Sequence, residues 1–319
     1  MKEHTISEKN KDQRLSKYLQ RLLPGAESGF IYKMLRKKNI TLNDKKATGN
    51  EILAAGDIVR LWLSDETYEK FAHEEEISYP SLDPDIIVYE DDNIIVINKP
   101  AGMLSQKSSD SDISACELLC GYLVKYRGFT TEQFREYRPS AVNRLDRNTT
   151  GLLICAKNLK AASELSEMLK ERTVKKEYIT LVRGKVTGNR HIKGRLLKDE
   201  SNNTVVIGGE KSEGSFIETA YTAVKFCDKL NSSVLLVELI TGKTHQIRAH
   251  LASEGYPVIG DPKYGDQEVN RSFRKKYGVK SQLLHAYRIT FPKNDGVLAY
   301  LSGRVITSEP PFEYIYKEQ

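Results

Sequence analysis

The spacing of apolar and polar residues predicts short helices and strands along the whole chain. Leu15, Leu19 and Leu22 recur at helical spacing before Pro24 and Gly25, which end the helix. The same pattern predicts helices at 15–22, 30–35, 115–126, 161–170 and 244–253. Short apolar runs predict strands at 40–43, 57–63, 152–156, 177–182, 218–226, 233–240, 283–291 and 297–300, and a hairpin with its turn at 90–93.

Length and composition predict how the chain is divided into domains. The 319 residues fit two domains at about 150 residues each. We predict a small module at 12–64, an acidic, proline-marked linker at 65–84 and a larger domain at 85–319. The apolar runs are too short to cross a membrane, and four cysteines without a CxxC pair are typical of reduced thiols. We therefore expect a cytoplasmic protein, by default a monomer.

The positive charge is concentrated near the start of the chain. Residues 1–62 contain thirteen Lys and Arg against seven Asp and Glu, an excess equal to the net charge of +6 of the whole chain. Such a helical face is often only solvated surface, but a basic helix end also suits a phosphate backbone. The candidate RNA-binding residues are Arg14, Lys17, Lys33, Arg36, Lys37, Lys38 and Asn43.

One stretch concentrates the candidate chemistry, VNRLDRNTTGLLICAKN at 142–158. It places Asp146 between Arg144 and Arg147, on a loop that enters a predicted buried strand. Catalytic groups are often found at such positions, although a surface Arg–Asp pair at a turn is equally compatible with these residues.

Other parts of the chain supply possible partners for this carboxylate. Lys99 ends a predicted strand and could contact a phosphate or only close a turn. Tyr178 begins a strand, either as half-buried core or as a platform on which a base stacks. Arg248 lies in the helix THQIRAH and could face Asp146, keeping that acid ionised and fixing its direction.

Two further patterns do not complete the motifs that they resemble. The sequence Gly242-Lys243-Thr244 resembles the end of a P-loop, but Val237 stands where that motif needs glycine, so we expect no nucleotide cofactor. His245 and His250 point in different directions on a helix and lack a third ligand, so we expect no metal.

The first module resembles the S4 RNA-binding domain. The resemblance rests on Arg14-Leu15, IYKMLRKKNITLN and AAGDIVRL, in that order. It implies binding to structured RNA through shape and phosphates.

The second domain resembles the RluA-type pseudouridine synthases. The motifs EDDNIIVINKPAGM, NRLDRNTTGLLICAKN, KKEYITLV, TGKTHQIRAHL and GDPKYG occur in order across 85–291. The family implies an α+β fold with a mixed, mostly antiparallel central sheet flanked by helices. It also implies conversion of uridine to pseudouridine in folded RNA without metal or cofactor, with the target base taken out of its stack.

The resemblance also implies residue roles. Asp146 matches the essential aspartate, Tyr178 the active-site tyrosine and Arg248 the arginine that pairs with the aspartate. We expect Arg144, Arg147, Lys99 and Gln246 to bind substrate. Three positions depart from the common family pattern, where histidine, serine and arginine are usual: Asn143, Thr150 and Lys243.

The substrate implied is 23S ribosomal RNA. Transfer RNA remains an alternative substrate. A non-catalytic RNA-binding ribosome-assembly factor remains an alternative function.

Overall fold

The computed structural model describes residues 1–72, 80–109, 111–199, 204–208 and 213–317. The chain folds into two compact units. Unit 1 is formed by Met1–Leu82, Glu117–Pro139 and Lys157–Lys160. Unit 2 is formed by Asp83–Cys116, Ser140–Ala156 and Ala161–Gln319. The division therefore differs from a single boundary at 85, because two internal segments belong with the N-terminal residues.

The secondary structure contains the predicted helices and strands, apart from the strand at 297–300, together with elements that the apolar spacing does not predict. The helices are α1 (Leu15–Leu22), α2 (Ser28–Arg36), α3 (Asp65–Ala72), α4 (Ala115–Arg127), α5 (Thr131–Glu136), α6 (Leu159–Lys170), α7 (Gln246–Ser253), α8 (Gln267–Tyr277) and α9 (Tyr314–Lys317). The strands are β1 (Lys2–Thr5), β2 (Ile40–Leu42), β3 (Lys45–Lys46), β4 (Ile58–Leu61), β5 (Ile87–Glu90), β6 (Ile94–Lys99), β7 (Ser140–Ala141), β8 (Thr150–Ala156), β9 (Lys175–Arg183), β10 (Asn189–Asp199), β11 (Thr204–Gly208), β12 (Ser215–Cys227), β13 (Ser232–Leu239), β14 (Leu284–Thr290) and β15 (Val305–Thr307). Short 3-10 turns lie at Pro84–Ile86, Asp228–Leu230 and Ala299–Leu301.

Unit 1 packs two short helices on a small sheet with strand order β1-β4-β2-β3. Leu15 and Leu19 of α1 are fully buried, and Ile31 of α2 is 1% exposed, so the helical spacing gives each helix one apolar face. The sheet extends beyond the predicted module, because β1 pairs with β4. None of the helices in the described ranges is long and apolar enough to span a membrane.

The predicted linker at 65–84 contains structure at both of its ends. Residues 65–72 form helix α3, and Tyr68 and Phe71 of this helix pack against the buried core of unit 1. The 3-10 turn Pro84–Ile86 then leads into β5. Residues 73–79 of the predicted linker lie outside the described residues.

Unit 2 is organised around one large mixed sheet. Within the described residues, its strand order is β11-β10-β12-β13-β9-β14-β8-β6-β5, with β15 beside β14 and β7 beside β8. Neighbouring strands pair antiparallel except β8 and β14, which are parallel. The expectation of a mixed, mostly antiparallel sheet flanked by helices is confirmed. The strand predicted at 297–300 is wrong, because Ala299–Leu301 forms a 3-10 turn.

Candidate active site

Asp146 lies on the loop that enters β8, and two contacts fix where that strand begins. Gly151 has a φ of +106°, and a Cβ atom there would lie 2.3 Å from the carbonyl oxygen of Ala286 on β14. Only glycine permits this approach. One residue earlier, the hydroxyl of Thr150 lies 2.8 Å from Nδ1 of His285, also on β14. The start of β8 is thereby held against the centre of the sheet.

The loop is also held by one buried serine. Ser105 Oγ donates to the carbonyl oxygen of Leu145 at 3.0 Å and accepts from the Leu145 N–H at 3.1 Å. The N–H of Thr149 donates to the carbonyl oxygen of Asp146 at 3.0 Å and closes the turn. The backbone on both sides of the carboxylate is therefore fixed, as a catalytic group requires.

Gln246 fixes the first turn of α7, the helix that supplies Arg248. Its amide nitrogen donates to Glu218 O at 2.9 Å and Thr219 Oγ1 at 3.0 Å, both on β12. Its Oε1 accepts from Thr241 Oγ1 at 2.9 Å and from a backbone N–H at 3.1 Å. Because these bonds use the whole carboxamide, Gln246 orients α7. It also lines the pocket described below, and its predicted role in binding substrate stays a prediction.

Arg248 and Asp146 form the ion pair that the sequence predicts. Nη1 of Arg248 donates to Oδ2 of Asp146 at 2.8 Å. The Arg248 side chain is only 5% exposed and the Asp146 side chain 22%, so the carboxylate can still meet a ligand. Its second oxygen, Oδ1, accepts no hydrogen bond from the residues that the structure describes. The carboxylate is thus held at one oxygen and open at the other.

A second carboxylate, absent from our predictions, shares the guanidinium. Asp261 is fully buried and accepts from Arg248 Nε at 2.7 Å and from Nη2 at 2.8 Å. The Arg248 guanidinium also lies 5.3 Å from the centre of the Tyr264 ring. Both residues belong to the motif GDPKYG, which sequence analysis recognised without assigning a role to either. The only sequence signal for Asp261 is an aspartate followed by a proline, a pair that also occurs in ordinary turns.

These contacts keep Arg248 and Asp261 charged. Burial disfavours charge on Arg248, but hydrogen bonding and negative charge from Asp261 and Asp146 outweigh it and raise the pKa of the guanidinium. Burial would also raise the pKa of Asp261, but hydrogen bonds and positive charge from Arg248 and two backbone N–H groups lower it below its ordinary value. One cation between two anions leaves the cluster one negative charge.

Tyr178 forms part of the wall of the same pocket. It is 5% exposed and pairs with Val237 and Ala286 in the middle of the sheet. Burial, and then the negative charge of Asp146, raise the pKa of the Tyr178 hydroxyl, so the phenol is neutral at ordinary pH. Its ring is far more buried than the half-buried core residue considered above.

The pocket is open to solvent, and the space between its walls, open solvent included, is about 330 Å³. Its lining includes the predicted Arg144, Asp146, Tyr178 and Arg248, together with Leu145, Thr149, Leu239, Lys243, His245, Gln246, Ile247 and Leu284. Arg144 is exposed and makes no ion pair with the described residues. It is therefore available to an anionic ligand.

His245 is a pocket residue whose position the sequence did not reveal. It precedes α7 with a left-handed φ of +56°, a conformation that a non-glycine residue seldom adopts. Its Nδ1 lies 3.0 Å from the hydroxyl of Tyr264, which accepts from the Val205 N–H at 2.8 Å. Burial lowers the pKa of His245, which favours the neutral imidazole.

Of two further residues predicted to bind substrate, the structure contradicts Lys99 and leaves Arg147 as a prediction. Lys99 is fully buried, and its ammonium donates to the carbonyl oxygens of Pro100, Met103 and Arg147 at 3.2, 2.9 and 3.0 Å. These three acceptors use all three donors, so Lys99 braces the turn after β6 and the predicted phosphate contact is wrong. Arg147 does not line the pocket, and its Nε donates to Gly102 O at 3.1 Å.

The cations predicted in unit 1 form an exposed group that we call the basic surface, comprising Arg14, Lys17, Lys33, Arg36, Lys37 and Lys38. None of them makes an ion pair with the described residues. Asn43 differs from them, because its side chain donates to Asp57 Oδ1 and accepts from the Ile58 N–H, each at 2.8 Å. Asn43 therefore stabilises a turn while its side chain stays exposed, and its predicted contact with RNA stays a prediction.

Solved structures define the class of fold. The chain is similar to Human RNA Pseudouridylate Synthase Domain Containing 4, with a TM-score of 0.56, 20% identity and coverage of 72% of this chain and 90% of that one. It is also similar to Human RNA Pseudouridylate Synthase Domain Containing 1, with a TM-score of 0.53, 22% identity and coverage of 75% and 87%. The fold is that of pseudouridylate synthase domains.

Sequence comparison identifies the family. The model of the RNA pseudouridylate synthase family matches residues 93–253. Ribosomal large subunit pseudouridine synthase C of Haemophilus influenzae is 31% identical over 93% of this chain and 89% of that protein. The protein of the same name in Vibrio vulnificus is 32% identical over 90% and 87%. The chain belongs to the RNA pseudouridylate synthase family and is a pseudouridine synthase.

Proposed function

We propose that this enzyme converts specific uridines to pseudouridine in the large-subunit 23S ribosomal RNA, with Asp146 as the catalytic carboxylate. The observation that supports the site is the open pocket in which Asp146 is held by Arg248 at one oxygen only. The names of the relatives support the substrate. The proposed setting is the cytoplasm, with the enzyme acting as a monomer.

In the proposed reaction the bond between C1′ and N1 of the target uridine breaks. The uracil turns, C5 bonds to C1′, C5 loses its proton and N1 gains one, so the product is an isomer of the substrate. Asp146 either attacks C1′ or removes the 2′ proton, and both routes require an ionised carboxylate. Tyr178 packs against the detached base, and its neutral phenol adds no second negative charge beside Asp146.

Arg144 is the proposed group for guiding the flipped nucleotide. It is an exposed cation at the pocket and has no ion-pair partner within the described residues. Taking a uridine out of its stack costs a few kcal/mol, which phosphate and base contacts at the pocket must offset.

We also propose that 12–64 is an S4 RNA-binding domain. Its basic surface consists of exposed cations on α1, α2 and the turn after α2. Cations that are not neutralised by neighbouring acids can displace counterions from an RNA backbone. This contact supplies affinity without selecting a base.

The test is to map pseudouridines in RNA from a strain that lacks the gene. The proposal expects one or more positions in large-subunit ribosomal RNA to be unmodified and the wild-type gene to restore them. The Asp146→Ala gene should not restore them. Loss confined to transfer RNA would support the alternative substrate, and an unchanged map of both RNAs would contradict the proposal.

A further inference from the structure

The guanidinium of Arg248 is divided between two carboxylates in unequal shares. Its Nε and Nη2 face Asp261 as a bidentate pair, at 2.7 and 2.8 Å. One N–H of Nη1 reaches Asp146, at 2.8 Å. Bidentate pairing fixes the plane of a guanidinium, whereas a single hydrogen bond leaves its acceptor able to change partners. The buried carboxylate therefore determines where the remaining N–H groups point.

Asp261 is itself held in one orientation. Its Oδ1 accepts from the backbone N–H groups of Lys263 at 2.8 Å and Tyr264 at 3.1 Å. Asn270 of α8 accepts from the Gly260 N–H at 2.6 Å and donates to the Asp261 carbonyl oxygen at 2.8 Å. Because its backbone and its carboxylate are both held by hydrogen bonds, Asp261 keeps its orientation if Arg248 rotates.

The close packing of Gly260 strengthens this arrangement. Gly260 has a φ of +80°, and a Cβ atom there would lie 2.2 Å from the carbonyl oxygen of Ser281. Glycine is therefore required at this position. The loop before Asp261 cannot shift outward without losing that packing.

We propose that Asp261 is a positioning residue of the pseudouridine synthase reaction. It occupies one edge of Arg248, so that the guanidinium holds Asp146 by a single N–H and leaves Oδ1 of Asp146 open to the ribose. It also balances the charge of Arg248, so that the positive charge of the guanidinium is not directed at Asp146 alone. The inference rests on the proposed role of Asp146.

The discriminating variant is Asp261→Asn, which preserves shape but removes the negative charge and one of the two acceptor oxygens. Arg248 is then free to turn toward Asp146 and pair with both of its oxygens. We expect kcat to fall about 100-fold, the loss that a misplaced catalytic group typically causes. The KM for RNA should stay within a factor of about 3, since no RNA-contacting group has changed.

The pH profile provides a readout that a purely structural role would not move. In Asp261→Asn the reacting carboxylate gains a second N–H donor, which favours its ionised form. The acid limb of kcat should therefore move to lower pH while the plateau falls.

Asp266→Asn is the matched control. Asp266 lies five residues away, caps α8 through the N–H groups of Glu268 and Val269, and pairs with Arg183. None of these three partners lines the pocket. This variant should melt at a lower temperature with the kcat and pH profile of the wild-type enzyme.

A wild-type kcat and pH profile for folded Asp261→Asn, with only a lower melting temperature, would overturn the proposal. If Asp261→Asn does not fold, Asn270→Ser provides the test, because it loosens the loop and leaves all three charges in place. A kcat several-fold below wild type supports the proposal, and an unchanged kcat overturns it. Asp146→Asn is assayed in parallel to separate the proposal on Asp261 from the proposed function. Activity of Asp146→Asn would contradict the proposed function, whatever the result for Asp261→Asn.

Discussion

The pocket of unit 2 and the basic surface of unit 1 use positive charge in opposite ways. In the pocket a single buried guanidinium is shared by two carboxylates and cannot move without exposing unpaired charge. On the basic surface six exposed cations make no ion pair with the described residues. The first arrangement fixes a geometry, whereas the second supplies a field that any phosphate backbone can meet. Substitutions should therefore have large, local effects in the pocket and small, salt-dependent effects on the surface.

The largest effect should follow from Arg248→Ala. This change leaves the buried carboxylate of Asp261 without its cation, and breaking such a pair costs about 3–5 kcal/mol of unfolding free energy. Activity should fall at least about 100-fold in addition, because Asp146 loses its orienting donor. Denaturant unfolding and single-turnover rates measure the two effects.

Arg248→Lys is the control for charge alone. It keeps the cation but loses the bidentate geometry, so stability should recover in part and activity little. Wild-type stability in Arg248→Ala would contradict the buried ion pair.

The next effect concerns stability at acid pH, and its source is a buried histidine in unit 2. His285 is fully buried, and burial lowers its pKa to about 4 from 6.5. The unfolded chain binds this proton more readily than the folded chain does. The free energy of unfolding therefore falls as the pH drops from 6.5 toward 4, and the loss is complete below about pH 4. The loss is roughly 3.5 kcal/mol at most, from about 1.4 kcal/mol per pKa unit.

His285→Asn should flatten this dependence. Melting temperatures between pH 7 and pH 4 should converge for the two proteins, even if the variant is less stable at pH 7. The same acid slope in both would show that another group is responsible.

A smaller effect is expected at Tyr178. If its ring packs against the target base, Tyr178→Phe should keep most activity, while loss of the ring should cost about 1–3 kcal/mol of substrate binding. Tyr178→Leu keeps the site apolar and is the matched comparison. An equal loss of activity in Tyr178→Phe and Tyr178→Leu would show that the hydroxyl matters rather than the ring.

The smallest effect per residue belongs to the basic surface. Each cation removed should lower the slope of log affinity against log salt by about 1, with little change in kcat. Changing Lys33, Arg36, Lys37 and Lys38 together to Ala should therefore weaken RNA binding strongly at low salt and much less at high salt.

A charge-matched control is available on α8. Arg271, Arg274, Lys275 and Lys276 are also exposed, and their joint change to Ala removes the same net charge. Equal loss of affinity in both variants would show that total charge, rather than the basic surface, governs docking.

Local features of the fold were predictable because they depend on nearby residues. The leucine spacing gives α1, and the turn between β5 and β6 follows from polar residues between two apolar runs. Helix α3 was missed, since its acidic sequence resembles a linker until Tyr68 and Phe71 meet the core. The ion pair of Asp146 and Arg248, 102 residues apart, was a possibility from the residues that the family resemblance also implied, and the structure shows it.

What the sequence could not predict depends on which residues meet in three dimensions. Lys99 resembles a phosphate-binding lysine in sequence, but three carbonyl oxygens from two loops surround it. Asp261 resembles a turn residue, yet it lies against the guanidinium that holds Asp146. The left-handed conformation of His245 has no signature in residue type. Sequence reasoning thus named Asp146 and Arg248, which the structure brings together, and missed Asp261, which holds Arg248 in place.

The central claim is that a single ionised carboxylate performs the chemistry, and tritium release tests it most directly. Wild-type enzyme and Asp146→Asn should be compared on ribosomal RNA labelled as [5-³H]uridine, with RNA affinity measured in parallel. The expected result is release by the wild type and none above background by the variant, at the same affinity. Tritium release by Asp146→Asn at a rate near that of the wild type would contradict it.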